Sequence, residues 1–173
     1  MFCPLSLRHL LRAAPILAAV GTLLSAAPAP PAAGEAAASL FQEAKTTAGQ
    51  LKQDVIQMES YARSRPSWRS HADQITRITE HINKAGELTA QLKKSRAGAE
   101  AWHQTAIDRL TPLLQELASN VEEMIKRINK QTDMTDPRYN SYLKRNEDLA
   151  TELYNLISDT VDYDKTKAEM QNP

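Results

Sequence analysis

Along four separate stretches of the chain, one stripe of side chains recurs at alternating spacings of three and four. In residues 39–63 the stripe is Phe41, Ala44, Ala48, Leu51, Val55, Met58 and Ala62. Residues 67–96 continue with Trp68, His71, Ile75, Ile78, Ile82, Ala85, Thr89 and Leu92. Residues 99–131 carry His103, Ile107, Leu110, Leu114, Leu117, Val121, Met124 and Ile128. In residues 137–169 it is Tyr142, Asn146, Leu149, Leu153, Leu156, Thr160 and Tyr163. A mean period of about 3.5 belongs to helices that bury a narrow seam against one another, as in a coiled coil. Leu88, Leu113, Ile125, Leu143 and Ile157 flank the stripes and widen them, as a globular bundle needs.

The breaks between stretches agree with that division. Pro66 disfavours helix at Arg65, and Ser67 can cap the second helix. Gly98 suits a helix end after the basic turn of Lys93, Lys94 and Arg96. Asp136 sets a capping side chain before Pro137, a residue suited to the first helical position. Connections this short favour antiparallel neighbours, so the expected fold is all-α: an antiparallel up-down-up-down four-helix bundle spanning residues 39–173. At ~1.5 Å per residue it is a rod about 40–50 Å long. Pro112 lies inside the third stretch, where it lacks an N–H and crowds the carbonyl of Asp108. The stripe continues through it, which predicts a helix kinked near Pro112 rather than one restarted with Thr111 as its cap.

Composition adds a leader to this picture. Arg8 and Arg12 precede the almost wholly apolar residues 13–27, and Ser25, Ala26 and Ala27 offer a small-residue cleavage site, so residues 1–27 read as an export signal. That run is shorter than the ~20 residues of a membrane-spanning helix. Residues 28–38, rich in Ala and Pro, read as a flexible lead-in. Cleavage removes Cys3, the sole cysteine, which excludes disulfide and thiol chemistry and leaves stability to packing. It also leaves 19 basic against 21 acidic side chains, too near neutrality to drive binding to nucleic acid.

Candidate chemistry rests on few residues. His71 occupies a stripe position at a level shared with Met58 and Met124, a set that could ligate haem or a metal. The simpler reading is a buried polar layer in which His71 bonds Asn146 or the Tyr142 hydroxyl. Glu100 and His103 form one Glu-x-x-His pair, the spacing with which di-iron bundles hold metal, but such sites need the pair twice. A helix-start acid and an end-layer histidine account for the two better. His81 lies about 15 Å along its helix from His71, too far to share an ion. Periplasmic b-type haem bundles resemble this chain in size and helix count. That resemblance implies a histidine late in the fourth helix, where none stands. No nucleophile elbow or phosphate-cradling loop is present, so enzyme activity is not expected.

Charge and aromatic residues gather towards the helix ends. Lys93, Lys94 and Arg96 mark one end; Arg63, Arg65, Arg69, Lys126, Arg127 and Lys130 mark the other. A basic end could meet lipid headgroups or cell-wall polymers, although Lys and Arg also simply favour helix C-termini. Asp159, Asp162 and Asp164 oppose the dipole of the last helix, whose end is expected to fray. Tyr61, Trp68, Trp102, Tyr139 and Tyr142 are expected to plug the bundle's ends. The sequence thus points to an exported protein, periplasmic or secreted, without cofactor or enzymatic activity. Its expected partner is a protein or a cell-envelope component, and the repeat is equally compatible with a homo-oligomer. The alternatives are a haem- or metal-binding bundle and, if the leader is retained, a membrane-anchored sensor-like domain.

Overall fold

Alanine is the strongest helix former, and four of the six residues from Ala33 to Ala38 are alanine. In the computed structural model, which describes residues 33–64, 67–130 and 136–171, this run opens helix α1, Ala33–Ser64. The helix thus begins six residues earlier than the lead-in reading of residues 28–38 expected. The reason lies in Ala37, which is fully buried four residues before Phe41 and so adds one more position to the same seam. Residues 1–27, read as the export signal, lie outside the described residues.

Three more long helices complete the fold: α2 at Trp68–Ser95, α3 at Ala101–Asn129 and α4 at Pro137–Gln171. The described residues contain no strand. Ser67 is extended and its Oγ accepts from the backbone N–H of Ser70 at 3.4 Å, supplying the cap of α2. A short 3-10 turn, Arg96–Gly98, closes the second stretch, with the Ala99 N–H bonded to the Arg96 carbonyl. Asp136 Oδ1 accepts from the Arg138 N–H at 2.8 Å, while Oδ2 takes Arg127 of α3 at 2.8 Å. One carboxylate thereby starts α4 and ties it to the preceding helix. Pro112 lies within α3, which runs through it as a single helix.

Packing joins α1 to α2 and α4, and α3 to the same two helices. Their buried apolar faces form one core. The stripe of α3 is buried at every position, and that of α1 at every position except the half-buried Ala62. In α2 the stripe holds from His71 to Leu92, but Trp68 is 48% exposed. Trp68 is the first residue of its helix, and its ring lies 5.6 Å from the Arg69 guanidinium instead of in the core.

The seam of α4 differs from its expected register. Tyr139, Leu143, Asn146, Leu149, Ala150, Leu153, Ile157, Thr160 and Val161 are buried, whereas Tyr142 and Leu156 are only half-buried and Tyr163 is 51% exposed. The expected and the buried sets share Asn146, Leu149, Leu153 and Thr160. They differ in which flank turns inward. The Leu143 and Ile157 flank does so, which leaves the Tyr142 and Tyr163 side at the surface.

Candidate functional site

Burial of His71 needs a partner, and the capped first turn of α2 sets the ring against α4. Its Nδ1 lies 2.8 Å from the Tyr139 hydroxyl, so Tyr139 takes the place expected of Asn146 or Tyr142. Tyr61 of α1 adds an edge contact at 5.1 Å between ring centroids. Desolvation pushes the His71 imidazole below its ordinary value and the Tyr139 phenol above its own. A neutral imidazole and a protonated phenol satisfy each other in either tautomer. Met58 and Met124 are both buried, and Met124 Sδ accepts from Asn146 Nδ2 at 3.3 Å. The amide oxygen of the same side chain, Asn146 Oδ1, is buried without a hydrogen bond among the described residues.

A histidine whose folded value is lowered stabilises the fold fully above its unfolded value of about 6.5, and stability falls as pH drops below that point. His71→Gln is therefore expected to lose less stability than the parent between about pH 7.5 and about pH 5. Urea unfolding at both pH values measures the difference. Equal losses in the two proteins would remove His71 as a source of acid sensitivity.

His81 of α2 meets Asp54 of α1. Its Nδ1 lies 2.9 Å from Asp54 Oδ2 but off the line of a hydrogen bond. Gln74 Nε2 donates to the same residue, at 2.9 Å to the carbonyl and 3.1 Å to Oδ1.

The densest polar cluster lies where α1 and α3 begin and α4 approaches its end. Asp164 accepts from Trp102 Nε1 through Oδ1 and from His103 Nε2 through Oδ2, both at 2.8 Å. His103 is 2% exposed and stacks on the Phe41 ring at 5.1 Å and 19°. Because the carboxylate can only accept, the imidazole carries its hydrogen on Nε2. Its Nδ1 is buried with no hydrogen-bond partner among the described residues. Glu100, at the cap position of α3, makes no capping bond and instead reaches Lys167 Nζ at 3.0 Å. Glu100 and His103 therefore engage two different residues of α4. Among the described residues, no three His, Cys, Asp or Glu side chains converge as a metal site would require.

These side chains line a cleft of about 480 Å³, with Glu35 and Ala38 on the α1 side. Neither Asp164 nor Lys167 stood out in the sequence as a site residue. Their partners Trp102, His103 and Glu100 are more than sixty residues away, beyond any local pattern. Asp162, a second of the acids set against the α4 dipole, pairs with Lys45 at 3.0 Å. Those acids bind α4 to its neighbours, and the helix continues past them to Gln171.

Part of the charge at the basic ends is paired. Arg96 forms a two-pronged bond with Asp108 at 2.8 and 2.7 Å, which lowers the Asp108 carboxyl through that hydrogen bond. Arg63 pairs with Glu59, Lys126 with Glu123 and Arg127 with Asp136. Arg65 lies outside the described residues. Among the described residues, no helix is long and apolar enough to cross a membrane. No protein-family model matches the chain, and neither a curated protein nor a solved structure is significantly similar to it.

Proposed function

We propose that this chain is an exported protein, periplasmic or secreted, whose helical part serves a structural or protein-interaction role without catalysis. The observation that carries this reading is the use made of its most reactive side chains. His71, His103 and Asp164 each hydrogen-bond a residue of another helix and so tie helices together, while His81 lies beside Asp54 of α1. Export is supported by Arg8 and Arg12 ahead of the apolar residues 13–27 and by the small residues up to Ala27.

The architecture proposed for the module is an antiparallel up-down-up-down bundle. Support comes from cross-helix pairs whose numbers rise on one helix as they fall on the next. Glu43 meets Lys84 while Asp54 meets Gln74, and Arg109 meets Glu152 while Glu116 meets Arg145. On the same pattern Lys45 meets Asp162 and Lys52 lies over Tyr154. A bend of α3 at Pro112 belongs to the proposal, since that residue withholds an N–H from the helix ladder.

Affinity isolation from the exported fraction of native cells, with N-terminal sequencing of the recovered chain, tests the reading. The expected result is a chain beginning at Pro28 together with an envelope partner. A chain beginning at Met1 and confined to the cytoplasm would overturn it.

A further inference from the structure

Lys167 occupies the α1/α3/α4 cleft in the manner of a bound ammonium ion. Its Nζ lies 4.1 Å from the centroid of the Trp102 ring and 3.0 Å from Glu100 Oε1. The ring beneath it is held by groups other than Lys167. Asp164 fixes the indole nitrogen, and the Tyr163 and His103 rings tilt against the indole at 4.8 and 5.3 Å. An aromatic face and a carboxylate placed together in this way attract a cation through the ring quadrupole and direct charge.

Charge and space in the cleft exceed what Lys167 satisfies. The lining holds three carboxylates, Glu35, Glu100 and Asp164, against the one ammonium of Lys167. Small residues such as Ala38, Gly98 and Ala168 complete the wall, leaving the volume open and partly apolar. A compact inorganic cation could answer the charge but not the aromatic face or the aliphatic wall. A flexible chain of methylenes with ammonium groups answers all three.

We propose that this cleft binds a linear polyamine, with one ammonium on the Trp102 face beside Glu100 and another among the remaining carboxylates. Lys167 is the internal occupant that the ligand displaces. This site gives the interaction module a small-molecule ligand and stands independently of whether residues 1–27 direct export.

Isothermal titration calorimetry of the full chain with putrescine and spermidine tests the assignment, with magnesium chloride at matched ionic strength as the control for screening. The expected result is saturable one-site binding of the polyamines alone. Lys167→Met is expected to tighten it about tenfold, the gain from removing a competitor that fills the site about nine-tenths of the time. Lys167→Arg, which keeps charge and ring contact, should retain the parent affinity, and Glu100→Gln should weaken it. Lys167 and Glu100 side chains are 29% and 51% exposed, so these changes leave the core intact; circular dichroism verifies the fold. Absence of saturable heat, equal heat from magnesium, or Lys167→Met binding no tighter than the parent would overturn the proposal. Capture of a lysine-rich peptide in place of the polyamines would overturn it as well.

Discussion

Phe41→Ala is expected to lower the unfolding free energy by about 3–5 kcal/mol, the range for emptying a fully buried aromatic position. The side chain has no exposed surface and its ring stacks on His103, so truncation removes both a core volume and the cover over a buried imidazole. Against a total stability of roughly 5–15 kcal/mol for a domain, such a loss takes a large share. Phe41→Leu keeps most of the volume and should lose much less. Urea unfolding monitored at the helical circular dichroism band gives both values. A Phe41→Ala loss under about 1 kcal/mol would place residue 41 outside the core.

Asp164→Ala is expected to have the second largest effect. The carboxylate is the acceptor for both Trp102 Nε1 and His103 Nε2, and His103 is buried. Removing it strands the buried His103 donor, at a cost of about 1–3 kcal/mol, and leaves the half-buried Trp102 N–H without its acceptor at a smaller cost. Asp164→Asn retains one carbonyl oxygen and presents a donor where the second acceptor stood, so its loss should fall between parent and alanine. Unfolding measurements on the three proteins, with the emission of the two tryptophans as a local readout, test this ranking. Equal stability of Asp164→Asn and Asp164→Ala would show that neither bond survives the amide.

The four-helix organisation was legible because three stripes keep their register over nearly the full length of a helix, with Trp68 and Ala62 at the ends as the exceptions. Ile107, Leu110, Leu114 and Leu117 run through Pro112 without a slip, and all four are buried. The fourth stripe was ambiguous for a physical reason: Leu156 on one flank is as apolar as Leu143 and Ile157 on the other, and Tyr142 can bury its ring as well. Only packing against α1 and α3 selects between them, and packing is non-local. The start of α1 was misplaced because prolines at positions 28, 30 and 31 obscure an alanine run of high helix propensity.

Candidate chemistry was legible by residue type but not by partner. His71 was expected to need a buried hydrogen bond, and it has one, but with Tyr139 in place of the expected Asn146 or Tyr142. Glu100 and His103 share the spacing of a metal pair, yet Lys167 and Asp164 take them separately. Which residue answers a buried donor depends on the level at which two helices meet, and no local spacing encodes that level.

Zero-length carbodiimide cross-linking of the native protein, read by mass spectrometry, tests the proposed antiparallel arrangement most directly. Lys84–Glu43, Lys45–Asp162 and Lys167–Glu100, at 2.8, 3.0 and 3.0 Å, are the links expected. Links from Lys45 to Glu147 or Asp148, near the opposite end of α4, with none to Asp162, would contradict the arrangement.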